Sequence, residues 1–195
     1  MTNRQQENWW VLRAQAGDRE ALEELLKAVQ EPLYRYVYRL VNDRTLAEDI
    51  LQEVFILIYR KLGWLQEPTL FRFWAYRIAS REAFKRLKRE RRWGAQEVRD
   101  EALLAMIPAQ APEEALEPEL VERLPALIAR VSPASRAVLI LHYLDELPLS
   151  EVADVLGIAL GTAKSRLAYG LDSLRRAINE QGNSESGNER LKSQA

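Results

Sequence analysis

Two short apolar repeats separated by a glycine, within residues 148–169, constrain the fold of this chain more than any other feature. Helix-period apolar residues from Val152 onward predict a first helix that begins near Pro148, since proline is tolerated in a first helical turn. Gly157 follows, at the position where a left-handed residue commonly ends a helix. The segment 148–169 is therefore predicted to be a helix-turn-helix. The apolar side of its second helix comprises Ala163, Leu167, Leu171, Leu174 and Ile178.

The polar side of that second helix indicates a nucleic-acid surface. Thr162, Ser165, Arg166 and Tyr169 fall opposite the apolar side at helical spacing. Such a helix can lie in the major groove of duplex DNA, where its polar side chains reach phosphates and base edges. An ordinary helical hairpin with a solvated face has the same pattern, so this segment alone leaves both interpretations open.

Helical periodicity extends over nearly the whole chain, and no segment alternates convincingly as a strand would. The sequence predicts an all-α fold: two small helical domains joined by an acidic, proline-containing linker, with the helix-turn-helix in the second domain. The predicted boundaries are a first domain at 1–92, a linker at 93–118, a second domain at 119–180 and a disordered polar tail at 181–195.

Caps and prolines place the predicted helix ends. The first helix is expected at 8–29 and the second from Pro32. Thr45, followed three residues later by Glu48, has the pattern of a capping box and predicts a third helix from there to Leu62. The remaining helices before the helix-turn-helix are expected at 69–92 and from Ser132-Pro133 through Leu144.

Charge is segregated along the chain although the formal net charge is only −1. Residues 72–92 hold nine Lys or Arg against two Glu, and residues 97–122 hold eight acidic residues against one Arg. A basic stretch this dense favours contact with phosphates over an ordinary solvated face. The near-neutral total indicates that the isolated chain binds DNA only weakly.

Composition excludes several kinds of site. The 195 residues include no cysteine, which rules out disulfides and thiolate metal sites, and the single histidine, His142, lacks the convergent ligands that a metal site needs. No metal and no cofactor is expected. No apolar stretch approaches the ~20 residues that span a bilayer, and the N-terminus lacks a secretory signal, so a cytoplasmic protein without direct membrane insertion is expected.

The third predicted helix divides into an apolar arc and an acidic arc. Glu48, Asp49, Gln52 and Glu53 fill the acidic arc. A solvated face is the ordinary explanation for a lone helix, and a docking surface for a basic partner is the functional one. Hydrolytic catalysis by paired carboxylates has almost no support, because no nucleophile, metal set or pocket accompanies them.

The fourth predicted helix interleaves aromatic and basic residues. Exposed rings stack on unpaired bases at ~1–3 kcal/mol per base, and neighbouring basic groups contact phosphates. Phe71 and Ile78 are expected in the core, since a four-helix unit needs apolar bulk inside. Trp74, Tyr76 and Arg77 stay open between core packing and nucleic-acid contact.

These pieces follow one another in the order found in a known family. Over about residues 8–178 the chain resembles the extracytoplasmic-function (ECF) group of bacterial sigma factors. Each matching segment is moderately specific, whereas four in order, with a linker before the last, are strongly specific. The resemblance implies a non-catalytic subunit that directs core RNA polymerase to specific promoters and assists promoter opening in transcription initiation. The four segments are AQAGDREALEELL, LAEDILQEVFILIYRKL, FRFWAYRIA and LPLSEVADVLGIALGTAKSRL.

The resemblance also implies a role for each polar surface. The acidic arc would dock on the clamp helices of the polymerase's largest subunit. The fourth helix and the loop 63–69 would contact the −10 promoter element and capture an unstacked base, and the second helix of the helix-turn-helix would read the −35 element. The implied residues are Glu48, Asp49, Gln52 and Glu53 for the polymerase, Trp74, Tyr76, Arg77, Ser80, Arg81 and Lys85 for the −10 element, and Thr162, Lys164, Ser165, Arg166 and Tyr169 for the −35 element.

Several positions depart from the family's pattern. Ser80-Arg81 and Lys85 stand where the family commonly has Arg-Asn and an acid, which points to an unusual −10 preference. Ala159 replaces the usual hydroxyl cap of the recognition helix, at a cost of ~1 kcal/mol. Gly170 is expected to weaken that helix by up to ~1 kcal/mol.

Two further functions stay open on the sequence. A stand-alone transcription regulator would bind duplex DNA unaided, usually as a dimer, whereas an adaptor would bind polymerase or a regulator without recognising promoters. For the sigma factor, the resemblance implies core RNA polymerase and promoter DNA as partners and association with the nucleoid in the holoenzyme. It also admits an anti-sigma factor as a third partner.

Overall fold

The computed structural model describes residues 3–89 and 127–192, with side chains over 5–89 and 127–178. Every regular element within these ranges is helical, which confirms the all-α prediction. The predicted linker at 93–118 lies outside the described residues. So do the last residues of the helix predicted at 69–92 and the predicted start of the second domain at 119.

Residues 3–89 form four α-helices around one apolar interior. Helix α2 is central, because it packs against α1, α3 and α4. Tyr36 of α2 and Phe71 of α4 are among the largest fully buried side chains. Two 3-10 turns, at Leu62–Trp64 and Pro68–Leu70, shape the loop between α3 and α4. The helices are α1 at Asn3–Gln15, α2 at Arg19–Val41, α3 at Arg44–Lys61 and α4 at Phe71–Arg89.

The break between the first two helices lies at Gly17 and Asp18, so the predicted helix 8–29 and the predicted start at Pro32 were wrong. Gly17 has φ +94°, a left-handed conformation that glycine adopts without strain. The Asp18 carboxylate then accepts hydrogen bonds of 3.0 and 3.1 Å from two amides of the next turn. This strong N-cap starts α2 early, and the helix continues through Pro32 with the loss of one backbone hydrogen bond.

Helix α3 also begins before its predicted residue. The Asp43 carboxylate caps it, accepting a 3.0 Å hydrogen bond from the Leu46 amide. Glu48 pairs with Arg44 at 3.0 Å on the helix surface, so the capping box predicted at Thr45 was wrong. Aspartate is among the best N-cap residues, which explains why the helix starts there.

Residues 127–192 form the second helical unit. As predicted, Ser132 caps α5, its hydroxyl accepting from the Ser135 amide at 3.4 Å. The last helix of this unit continues to Lys192, through most of the segment 181–195 that the sequence predicts to be a disordered tail, and residues 193–195 lie outside the described ones. After a 3-10 turn at Ile128–Arg130, the elements are α5 at Pro133–Leu139 with a π-helical turn at Ile140–Leu144, α6 at Leu149–Leu156 and α7 at Leu160–Lys192.

Helices α6 and α7 form the predicted helix-turn-helix. Gly157 lies between them with φ +66°, the left-handed conformation expected after a helix end. Val152 and Val155 of α6 are buried together with Leu167 and Leu171 of α7, as the apolar spacing predicted. Pro148 immediately precedes the first helical residue.

Gly170 lies where α7 packs tightly against α5. A Cβ atom added at Gly170 would lie 2.8 Å from Cδ1 and 3.1 Å from Cγ of Leu139, which is fully buried. The packing of α7 on α5 therefore requires a residue without a side chain at position 170. From the sequence alone, Gly170 was expected only to weaken the helix.

The two helical units share one apolar core. Helix α4 packs against α6, and α2 packs against α5 and the π-helical turn. Arg136 of α5, only 8% exposed, donates from Nη1 to the Leu40 carbonyl at the end of α2, over 2.7 Å. Its other N–H groups donate to the carbonyls of Ala129 and Val131. Burial lowers the pKa of Arg136 to about 10, so the side chain stays charged at neutral pH.

Candidate nucleic-acid and partner interfaces

The predicted acidic residues lie on one exposed face of α3. Glu48, Asp49, Gln52 and Glu53 are all exposed, while the opposite side of the helix is buried. Glu48 is neutralised by Arg44. Among the described residues, Asp49 and Glu53 form no ion pair, so their charges are available to a basic partner.

A groove between α2 and α3 borders this acidic face. Its volume is about 410 Å³, and Tyr34, Leu51 and Phe55 contribute apolar surface to it. The Tyr34 ring stacks on Tyr38 with a centroid separation of 6.1 Å. Carboxylates beside a groove with both apolar and polar walls suit a helical partner that carries basic and apolar side chains.

The six residues predicted to contact the −10 element occupy three different environments on α4. Arg81 and Lys85 are exposed, and Lys85 forms a 3.0 Å ion pair with Glu82. Trp74 and Arg77 are half-buried against α6. Tyr76 and Ser80 are buried.

Ser80 is a core residue in this conformation. It is 2% exposed, its hydroxyl lies 2.7 Å from the Tyr36 hydroxyl, and it donates to the Tyr76 carbonyl at 2.8 Å. The Tyr76 ring meets the Tyr36 ring edge-on, with centroids 5.4 Å apart. Burial raises the pKa of both tyrosine hydroxyls, so both remain protonated. This geometry does not support the direct DNA contact that the sequence predicts for Ser80, because its hydroxyl is buried and already hydrogen-bonded to Tyr36 and to the Tyr76 carbonyl.

Sequence reasoning missed Asp145, a carboxylate of the second unit that lies beside Tyr76. Burial raises the pKa of Asp145 to about 6, although Arg39 and a hydrogen bond from Tyr76 act in the opposite direction. Its Oδ2 atom is buried and has no hydrogen-bond partner among the described residues. Nothing in the local sequence around Asp145 indicates this position, since it depends on the packing of one unit on the other.

Helix α6 covers part of the predicted −10 surface. The Arg77 guanidinium donates from Nη2 to the Asp154 carbonyl over 2.6 Å, near the C-terminal end of α6. A cavity of about 500 Å³ lies between Trp74 and Arg77 on one side and Glu151 and Val155 on the other. The helix-turn-helix and the predicted −10 residues therefore face each other in the free chain.

The loop 63–69 is attached to α1 at its start and near its end. The Gln15 carboxamide donates to the carbonyls of Leu62 and Leu65, over 2.9 and 2.7 Å. Just beyond the loop, Arg72 forms an ion pair with Glu7 of α1, and the Arg72 Nε–Glu7 Oε2 distance is 2.8 Å. Neither α1 residue was identified from the sequence, because each partner lies more than forty residues away.

The predicted −35 residues lie on the N-terminal half of α7. Thr162, Ser165, Arg166 and Tyr169 are partly exposed at the spacing of one helical face, and Lys164 is exposed to the side of it. The Ser165 hydroxyl donates back to the Gly161 carbonyl at 3.0 Å. The arrangement leaves a polar surface on the second helix of the helix-turn-helix.

Two kinds of site are missing from the parts of the chain that the structure describes. No three His, Asp or Glu side chains there are grouped so as to hold a metal ion. No described helix has both the length and the apolar character needed to cross a membrane.

Comparison with known proteins identifies both helical units. A family model for sigma-70 region 2 matches residues 25–93, and one for sigma-70, region 4 matches residues 127–176. The chain is also similar to the ECF RNA polymerase sigma factor SigW of Bacillus subtilis (strain 168), with 29% identity over 178 residues that cover 87% of this chain and 95% of that protein.

Two solved structures share the fold. The first is CnrH in complex with the cytosolic domain of CnrY, with a TM-score of 0.64 and 18% identity over 90% of this chain and 98% of that one. The second is the sigma factor RpoE in complex with the anti-sigma factor NepR from Bartonella quintana, with a TM-score of 0.59 and 19% identity over 80% of this chain and 96% of that one.

Proposed function

We propose that each polar surface of this chain binds a different partner, because the chain belongs to the ECF group of the sigma-70 family. It is thus a non-enzymatic initiation factor for promoter-specific transcription. The acidic face of α3 binds the clamp helices of core RNA polymerase. Helix α4 and the loop 63–69 contact the −10 element. The polar face of α7 reads the −35 element.

One observation carries the polymerase assignment: Asp49 and Glu53 are exposed carboxylates on the same face of α3 as Glu48 and Gln52, which line the neighbouring groove. Rim charges steer a basic partner and fix its register, while the groove supplies apolar contact area. Gln52 is exposed on the same face of α3 and also lines the groove. Glu48 contributes less charge to a partner, because Arg44 already neutralises it.

For the −10 element, the proposed contacts are Trp74, Arg77, Arg81 and Lys85. The two exposed cations, Arg81 and Lys85, reach phosphates, and the Trp74 ring stacks on an unpaired base. Tyr76 and Ser80 lie on the buried side of α4, where the Ser80 hydroxyl is hydrogen-bonded to the Tyr36 hydroxyl of α2 and to the Tyr76 carbonyl.

For the −35 element, the proposed contacts are Thr162, Lys164, Ser165, Arg166 and Tyr169. Lys164 is the most exposed of them and serves a phosphate, whereas the residues on the shared face reach base edges.

Promoter binding requires the two units to separate. In the free chain the Arg77 Nη2 group is bonded to the Asp154 carbonyl of α6, so it cannot contact a phosphate with the same atom at the same time. Polymerase holds both units near the DNA, which raises their effective concentration there once they part. This explains how a chain of net charge −1 recognises DNA only as part of the holoenzyme.

Two further features complete the proposal. An anti-sigma factor is a second protein partner, because the RpoE structure that shares this fold holds one. The protein associates with the nucleoid when it is in the holoenzyme, since its promoters are there.

The experiment that tests the polymerase assignment measures binding to core RNA polymerase. The double variant Asp49→Arg plus Glu53→Arg replaces attraction by repulsion, so affinity should fall at least about tenfold. Glu23→Arg plus Glu24→Arg makes the same change in net charge on exposed positions of α2 and should bind nearly as the wild type does. Equal losses in both double variants would contradict a specific acidic face on α3.

A further inference from the structure

Helix α1 lies outside the segment that the region 2 family model matches, which starts at residue 25. It nevertheless packs against α2 and against both 3-10 turns of the loop between α3 and α4. Glu7, Val11 and Gln15 are spaced four residues apart, so they lie along one side of the helix over about two turns. Val11 is fully buried, which fixes this side toward the rest of the first unit.

Gln15 holds the start of the loop through two donors. Its Nε2 group lies 2.9 Å from the Leu62 carbonyl and 2.7 Å from the Leu65 carbonyl, and both hydrogen bonds are partly buried. A primary amide has two N–H donors, so the two carbonyls use its whole donor capacity. The Leu65 amide also donates to the Leu62 carbonyl over 3.0 Å, so the carboxamide closes a turn that is otherwise held by one backbone hydrogen bond.

Glu7 anchors the other side of the loop. Glu7 is only 4% exposed, and its carboxylate accepts two hydrogen bonds from the guanidinium of Arg72, in the first turn of α4. An ion pair of this kind has a fixed geometry because the planar guanidinium meets the carboxylate with two donors. Helix α1 therefore fixes the chain both before and after the segment 66–70.

The loop itself depends on this external support. Between the two attachments it contains only short 3-10 turns, whose hydrogen-bond geometry is poorer than that of an α-helix. Trp64 is 78% exposed and Leu70 is 48% exposed, whereas Leu65 is partly buried against the core, so apolar packing holds the loop at few points. A loop of this kind opens easily unless groups outside it fix its backbone.

We propose that Gln15 is a positioning residue for −10 recognition: its carboxamide fixes the loop backbone in the conformation that meets the promoter. The inference rests on the proposed −10 role of the loop 63–69. Glu7 anchors α1 so that Gln15 stays in register with the loop. Loss of the two donors changes the −10 preference and leaves −35 reading and polymerase binding unchanged.

The test uses holoenzyme assembled from core RNA polymerase and the full chain. Transcripts are sequenced from two promoter libraries, one randomised in the −10 element and one in the −35 element. Gln15→Leu keeps the size of the side chain but has no donor, and Gln15→Glu places a carboxylate against the two carbonyls. Each lost hydrogen bond corresponds to about a fivefold change, so we expect the −10 preference to weaken by at least about fivefold in both variants. Gln6→Leu, exposed on the same helix, is the matched control.

A second measurement does not depend on transcription. Amide hydrogen exchange over 62–70 should accelerate in the free Gln15→Leu protein and stay at the wild-type rate in Gln6→Leu. Unchanged exchange, an unchanged −10 profile, or an equal loss at both promoter elements would each overturn the role of Gln15. If the wild-type holoenzyme itself selects no −10 element, the proposed function fails, and the inference fails with it.

Discussion

Arg136 of α5 donates a hydrogen bond to the backbone carbonyl of Leu40, 2.7 Å away at the end of α2, and so joins the two helical units. The described partners of this buried cation are carbonyl oxygens. The last carbonyls of a helix carry the negative end of its dipole, which favours a cation at that place. A polar group inside the shared core therefore fixes how the second unit packs on the first.

Arg136→Met should destabilise the free protein. Methionine fills much of the volume but leaves the buried carbonyls of Leu40, Ala129 and Val131 without their donor, and each unsatisfied carbonyl costs about 1–3 kcal/mol. We expect the free energy of unfolding in urea to fall by at least about 2 kcal/mol. Arg176→Met removes an exposed pair with Asp172 and should change it by under about 0.5 kcal/mol. Equal stabilities of the two variants would contradict the structural role of Arg136.

Alanine should stabilise the protein at Gly161 and should not stabilise it at Gly170. Alanine at Gly170 places a methyl group 2.8 Å from Leu139, and such overpacking costs about 1–3 kcal/mol, which offsets or exceeds a helix-propensity gain of up to about 1 kcal/mol. At Gly161 no atom lies within 4 Å of the added methyl, so only the gain applies. Thermal unfolding of both variants measures the difference, and a more stable Gly170→Ala protein would show that α5 and α7 do not pack this closely.

Asp145 should make stability fall as pH rises. Its pKa is raised by burial from 3.8 to about 6 in the folded protein, so the folded state binds the proton more tightly than the unfolded chain. The stabilising contribution of protonated Asp145 is fully present below its pKa in the unfolded chain, and it is lost as pH rises through its pKa in the folded protein. Asparagine cannot ionise. Between about pH 4 and pH 7 the free energy of unfolding should therefore fall by about 2 kcal/mol more in the wild type than in Asp145→Asn.

The charged and titratable groups around Asp145 that shape this response are Arg35 and Arg39 of α2 and Tyr76 of α4. They are present in both proteins, so the difference between the two pH profiles isolates Asp145. Asp172→Asn changes an exposed carboxylate and serves as the control. Parallel pH profiles for wild type and Asp145→Asn would show that the carboxylate is not buried as described.

A covalent link between α6 and the 3-10 turn that precedes α4 should block initiation reversibly. Leu70 and Glu151 line the same cavity between the two units, and the chain has no cysteine of its own, so Leu70→Cys plus Glu151→Cys introduces two thiols for a short reducible bis-maleimide. The linked protein should lose promoter-dependent transcription, because the −10 and −35 surfaces cannot separate. Reduction of the linker should restore it. Full activity of the linked protein would contradict the required opening.

The helix-turn-helix was predictable from the sequence because local rules determine it. Gly157 ends a helix by its own backbone conformation, and Leu167 and Leu171 face the core by periodicity alone. The break at Gly17 and Asp18 was equally local, yet the helical periodicity on both sides concealed the N-cap.

The remaining features could not be predicted because they arise from contacts between distant residues. The packing requirement at Gly170 depends on Leu139, and the support of the loop depends on Gln15. The burial of Ser80 depends on its contact with Tyr36 of α2. Helical periodicity places Ser80 at the edge of the apolar face of α4, but it does not predict which side chain of another helix contacts it. The exposed acidic face of α3 was identified from the sequence, but its neighbouring groove required the placement of α2.

Promoter-specific initiation is measured directly by transcription in vitro with core RNA polymerase, the purified chain and a library of bacterial genomic DNA fragments, with start sites mapped by sequencing. We expect discrete start sites preceded by two shared motifs, which disappear with Asp49→Arg plus Glu53→Arg and persist with Glu23→Arg plus Glu24→Arg. Core binding without any discrete start site would favour an adaptor. Specific binding to duplex DNA without any affinity for core polymerase would contradict the central claim and favour a stand-alone regulator.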